Sequence, residues 1–131
     1  MGTQANKVTH GIDISVETKF QREHSVVEHR HFLFSYRITI ENISEYTVQL
    51  ISRHWEIFDS SSEYSEVDGE GVVGEQPVLE PGEIFEYESA CSLTTDMGKM
   101  CGTYLMERTI DKTRFKVIIP EFELITPQRL N

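Results

Sequence analysis

The stretch Asp68–Glu83 reads DGEGVVGEQPVLEPGE, and its glycines Gly69, Gly71 and Gly74 fall in the spacing G-x-G-x-x-G. Two folds compete for that spacing. In a doubly wound α/β fold it follows a buried strand and opens a helix whose N-terminus holds a pyrophosphate. In an all-β fold the glycines shape a connection, supplying positive φ or close backbone approach. Pro77 and Pro81 follow within seven residues of Gly74 and exclude a regular helix there. The segment before it, SSSEYSEV, is polar and short rather than a buried parallel strand. Glu66, Asp68, Glu70, Glu75 and Glu80 crowd the stretch with no Lys or Arg beside them. Without its helix the glycine spacing is a weak signal, and the dinucleotide fold is rejected.

Outward from this stretch the dominant period is two. IDISVETKF places Ile12, Ile14, Val16 and Phe20 on one face, and FLFSYRITIEN does the same with Phe32, Phe34, Tyr36, Ile38 and Ile40. VQLISRHWEIFD carries apolar residues on both parities, Val48, Leu50 and Phe58 against Ile51, Trp55 and Ile57, which predicts a strand that is central or covered on both sides. EIFEYES, KMCGTYLMER and RFKVIIPEFEL supply further strands. Turn signals separate these runs every ~8–12 residues, as in a β-sandwich or barrel. In LEPGEIFEY, Pro81 and Gly82 predict a type II turn over Glu80–Glu83. A leucine, a Pro-Gly turn and an aromatic strand together match fibronectin type III-like and immunoglobulin-like sandwiches. The expected fold is therefore all-β, an antiparallel sandwich of about seven strands. Residues 1–11 are expected to be a flexible N-terminal segment and residues 12–131 one domain, which suits a chain of 131 residues.

The net charge is −10, and its placement is uneven. From His54 to Gly98 there are 12 of the 22 acids and no Lys or Arg, so all 12 basic residues lie outside this segment. Such a middle repels phosphate polyanions at long range, and nucleic acid is excluded as a partner. No apolar run is long enough to span a bilayer and the N-terminus lacks an apolar signal core, so no membrane association and a cytoplasmic setting are expected. Cys91 and Cys101 have no metal-ligand spacing and are expected as free thiols.

Chemistry-bearing constellations are few. There is no G-x-S-x-G elbow and no H-E-x-x-H, and Cys91 lies among acids that raise a thiol pKa, so no catalytic residue is assigned and an enzyme is not expected. No cofactor is implied. A glycine-rich loop can still form an anion nest from successive N–H groups. Gly69, Gly71 and Gly74 would form it, with Arg53 and His54 supplying charge if their strand runs beside the loop. His29 and His31, two apart, would share one face of a strand and are weak candidates for a transition metal.

Four segments then carry a resemblance: SRHW (Ser52–Trp55), GEGVVGEQPVLEPGE, MCGTYLM (Met100–Met106) and the ending IPEFELITPQRLN. In this order they are similar to the ApaG family, over about residues 12–131. The resemblance implies a fibronectin type III-like sandwich and no established enzymatic activity. It also implies a genetic association with cobalt and magnesium sensitivity, and a gene neighbourhood shared with diadenosine tetraphosphate hydrolase. Related domains in eukaryotic F-box and polymerase-interacting proteins resemble protein-binding modules, and the family's glycine motif, here Gly69, Gly71 and Gly74, has been proposed to hold pyrophosphate. The chain departs from the commoner pattern at the second histidine of EHRHF and at Cys101. The expected function is a non-enzymatic binding module, indirectly linked to Co²⁺/Mg²⁺ homeostasis. The alternative is a pyrophosphate- or nucleotide-binding accessory protein acting through the glycine loop. Its partner would be a protein or a small anionic ligand, and the chain itself a monomer or homodimer.

Overall fold

The computed structural model describes residues 4–130. Its strands are β1 (Gln4–Thr9), β2 (Ile12–Phe20), β3 (Phe32–Asn42), β4 (Val48–Asp59), β5 (Tyr64–Glu70), β6 (Val78–Leu79), β7 (Ile84–Leu93), β8 (Met97–Arg108) and β9 (Arg114–Ile125), followed by a single helical turn, α1 (Pro127–Leu130). They form an antiparallel sandwich of the expected all-β class. One sheet has the order β1-β2-β3-β7, the other β5-β4-β8-β9, with β6 also on β4.

Among the described residues nine strands replace the seven or so expected, and the differences have physical causes. Gln4–Thr9 is not the loose segment expected of residues 1–11, because it pairs with β2 from Gln4↔Glu17 to Thr9↔Ile12. Residues 1–3 lie outside the described residues. β5 was hidden in a stretch that reads as polar loop. Six of its seven residues are exposed, so no apolar face announces it, and only its pairing with β4 makes it a strand.

β4 is central, as expected, but not because both faces are covered. A bulge between Leu50 and Ser52 inserts Ile51 without a partner on β8. One extra residue reverses the side-chain phase. Val48, Leu50, Trp55 and Ile57 thus all face the core despite their mixed parity. β9 repeats the device. Pro120 and Glu121 together oppose Cys101 alone, so Ile119 and Phe122 are both buried. A proline lacks the N–H that a regular ladder needs, and a bulge is where it fits.

The core is aromatic at its centre. Tyr36 of β3 meets Trp55 edge-on at 5.5 Å between centroids, and Trp55 meets Phe122 at 5.9 Å. The Tyr87 and Tyr104 hydroxyls hydrogen-bond to each other from opposite sheets, and burial pushes both phenols up. Along one side of the sandwich β9 runs close to β1 and β2, where the Ile118 N–H donates to Thr9 Oγ1 at 3.3 Å and His10 meets the Phe115 ring. On the other side β5 and β7 make no comparable approach among the described residues.

Asp59 ties the far end of β4 to the β7–β8 connection. Its carboxylate accepts from the Thr94 N–H at 2.7 Å, the Thr94 hydroxyl at 2.8 Å, the Thr95 hydroxyl and the Ser61 N–H. Burial raises its pKa, but these donors outweigh that and hold it at about 2, below the ordinary 3.8. A depressed carboxyl stabilises the fold above its unfolded pKa and ceases to do so as pH falls through the folded value. Asp59→Asn is therefore expected to cost about 1–2 kcal/mol at neutral pH, the worth of charged hydrogen bonds reduced for solvent screening. It should also flatten the loss of stability between about pH 4 and pH 2. Urea melts across that range check both effects.

Candidate functional site

The glycine stretch lies against the β4 bulge. The Gly71 N–H donates to the Ile51 carbonyl at 2.9 Å, and the Leu50 N–H donates to the Pro77 carbonyl at 3.0 Å. Gln76 Nε2 donates to the same Ile51 carbonyl at 2.9 Å. The polar groups that the bulge frees from the ladder are thus taken up by this loop. Val72 inserts into the core and is fully buried.

Each glycine has a distinct reason to be there. Gly69, opposite Arg53 in the ladder, leaves space for the guanidinium, since a Cβ would lie 2.7 Å from Arg53 Cζ. Gly71 has φ +58°, and a Cβ there would sit 2.0 Å from the Glu75 carbonyl oxygen. Gly74 has φ +82° with open space around it. Val72 and Glu75 exchange N–H···O bonds of 2.8 and 2.9 Å, closing a two-residue hairpin over Val73 and Gly74. Both central residues have positive φ, 43° and 82°, the arrangement of a type I′ turn. Valine is poorly suited to the first position, because a β-branched side chain crowds the left-handed backbone. Val73 is half-exposed and makes no compensating burial. Val73→Asn is expected to raise stability by about 1 kcal/mol. The check is a shifted denaturant midpoint at unchanged slope.

Arg53 does fold beside the loop. It shares the inward phase of Trp55, and its Nη1 donates to the carbonyls of Glu70 at 3.0 Å and Gly71 at 2.9 Å. Its charge is among those acting on the Tyr36, Tyr87 and Tyr104 hydroxyls. No carboxylate pairs with it among the described residues. The nest itself is largely used: the N–H groups of Gly71, Val72 and Glu75 all have backbone acceptors.

His54 points the other way, to the outer face, away from the loop's hydrogen bonds. Its Nδ1 lies 2.7 Å from Asp68, and its Nε2 lies 3.4 Å from Glu66 and 3.9 Å from Glu56. The hydrogen bond to Asp68, then the surrounding carboxylate charges, raise its pKa. Tyr64 completes the group by donating to Glu56 at 3.0 Å. Sequence reasoning missed these carboxylates. Their signal is the alternation of Glu66, Asp68 and Glu70, visible only once Tyr64–Glu70 is read as a strand beside β4.

His29 and His31 do not share a strand face. His29 ends a 3₁₀ turn, Arg30 takes a left-handed φ of 57°, and His31 only bridges Val26. The turn arises because the chain must reverse before β3 begins at Phe32. Among the described residues no group of three or more His, Cys, Asp or Glu side chains is arranged to hold a metal. Both thiols are free. Burial, then the Asp59 charge, pushes Cys91 up to about 11, and burial followed by Glu56 and Glu121 raises Cys101. Neither is a ready thiolate at neutral pH.

The ApaG domain model matches residues 22–108, and a Protein ApaG from Dechloromonas aromatica is 48% identical over 120 residues, covering 92% of this chain and 94% of the relative. The chain belongs to the ApaG family. A Protein ApaG from Brucella canis is 45% identical over 122 residues, with 93% of each chain covered. The crystal structure of an ApaA protein from Bordetella pertussis superposes with a TM-score of 0.86 at 41% identity, covering 89% of this chain and 94% of that one. The C-terminal domain of wzt, at 9% identity and a TM-score of 0.52, shares the fold alone. The ApaG description names no reaction. Among the described residues no helix is long and apolar enough to cross a membrane. In this ApaG chain the glycine motif braces a bulged strand.

Proposed function

We propose that the protein is a non-catalytic binding module that engages a protein partner through the open side of its sandwich. Its connection to Co²⁺ and Mg²⁺ homeostasis would be indirect and its setting cytoplasmic. One observation carries this reading. Among the described residues β5 and β7 each pair on one side only, and with β9 beside β1 and β2 their free edges fall on the opposite side of the sandwich. Unpaired strand edges are ready templates for an incoming segment. The raised thiols offer no ready thiolate at neutral pH, and His54 is held by Asp68 and Glu66. The test is capture of a partner from the source cell by the parent protein, with purified protein assayed in parallel for phosphoanhydride hydrolysis. A retained partner without turnover supports the module. Turnover that Arg53→Ala abolishes overturns it.

A second reading, an anion-binding accessory protein, has one observation in its favour: Arg53, which has no carboxylate partner among the described residues, lies beside Gly69 and Gly71. The engaged N–H groups weigh against it, because a nest works only with free donors. Pyrophosphate titrated against the amides of Val73 and Gly74 separates the two readings. Saturable shifts there favour the anion, and flat shifts at millimolar ligand favour the module.

A further inference from the structure

We infer that a basic, extended segment of a partner protein adds to β7 as a fifth strand of its sheet. The inference rests on the binding-module reading and names the partner's chemistry.

Three observations select β7. It pairs with β3 without interruption from Glu41↔Ile84 to Phe32↔Leu93, so its free edge is a straight run of ten residues. It contains no Pro, no Lys and no bulge, which are among the devices that blunt exposed edges. The alternatives are poorer. β1 and β9 run close together on the opposite side, β6 has two residues, and β5 ends where Gly69 seats Arg53.

Charge then selects the occupant. On β7 the exposed Glu86 and Glu88 point outward, with Glu83 just before the strand. Across the opening β5 adds Glu66, Asp68 and Glu70, and neither strand has a Lys or Arg. Arg37 of β3 lies 3.9 Å from Glu88, and on the other sheet His54 lies 2.7 Å from Asp68 and 3.4 Å from Glu66, so Glu86 on β7 and Glu70 on β5 have no ion pair among the described residues. A second copy of β7 would bring these glutamates against their equivalents, and like charges facing each other across strands destabilise pairing. A segment with Lys or Arg at alternate positions would instead face Glu86 and Glu88. Its intervening residues would turn toward the inner face, beside the half-buried Phe85 and the buried Tyr87. Alternating basic and apolar residues is the recognition rule that follows.

The probe is the blocked peptide Lys-Val-Lys-Val-Lys-Val-Lys, titrated into isotope-labelled protein. Two controls accompany it: the same peptide with Glu for Lys, and one with alternate backbone nitrogens methylated. Binding of the lysine peptide should shift and protect β7 amides, weaken with salt and vanish on methylation. The double variant Glu86→Lys/Glu88→Lys should bind about tenfold more weakly. If that variant melts early, Glu86→Gln/Glu88→Gln replaces it with a smaller loss in the same direction. Equal binding of either control peptide, shifts centred away from β7, or no binding at millimolar peptide overturns the inference. A cellular partner held equally by parent and double variant also overturns it while leaving the module reading intact. Phosphoanhydride turnover dependent on Arg53 would defeat the module reading itself.

Discussion

Gly71→Ala is expected to lower stability by about 2–5 kcal/mol. Two penalties combine. A left-handed backbone costs an L-residue about 1–2 kcal/mol, and packing a methyl against rigid structure costs about 1–3 kcal/mol. The atom struck is the Glu75 carbonyl oxygen at 2.0 Å, which closes the hairpin and cannot rotate aside as a side chain could. The loop would lose its grip on Ile51, and with it the buried Val72. Gly74→Ala should cost only about 1 kcal/mol, since it has the positive φ without the contact. Gly69→Ala should displace the Arg53 guanidinium and forfeit its two carbonyl bonds, about 1 kcal/mol. Denaturant melts of the three variants, without any ligand, test this ranking. Three equal, near-zero effects would return the motif to a ligand-binding role.

Trp55→Ala is expected to cost about 3–5 kcal/mol, the usual range for removing a buried tryptophan. Trp55 is 3% exposed and touches Tyr36 on one sheet and Phe122 on its own. Each aromatic pair adds about 0.5–1.5 kcal/mol beyond the buried area. Against a total of about 5–15 kcal/mol for a domain, that loss leaves little. Trp55→Phe keeps a ring between the two neighbours and should lose much less. Near-UV circular dichroism and thermal melts of both variants provide the check. A mild effect of the alanine would mean that Tyr36 and Phe122 collapse to fill the void.

Much of this architecture is legible in the sequence where a strand has one wet face and one dry one. β2, β3, β7 and the first half of β9 meet that condition, and their alternation matches their burial. The type II turn was legible too: Gly82 has φ 89°, and the Glu83 N–H donates to the Glu80 carbonyl at 2.9 Å. β1 and β5 were not, because an edge strand exposed on both faces carries no apolar period. The phase reversal at Ile51 was invisible for another reason. It depends on Gly71, Gln76 and Pro77 meeting a carbonyl and an N–H twenty or more residues earlier, which no local pattern encodes. At the candidate site the association of Arg53 with the glycines was readable. The engagement of their N–H groups was not, and the shared strand face expected of His29 and His31 does not form because a left-handed Arg30, which cannot be seen in EHRHF, lies between them.

The convergence of β9 on β1 and β2 gives the sandwich the mechanics of a bound book. That side is the spine, where two sheets are held along their length. The side with β5 and β7 is the fore-edge, and the Tyr87–Tyr104 hydroxyl pair is its clasp. Amide hydrogens of β2 and β8 should therefore exchange only through global unfolding, while those of β5 and the free edge of β7 exchange through local parting of the leaves. A partner seated on the fore-edge would be felt as slower exchange there long before it changed any average coordinate.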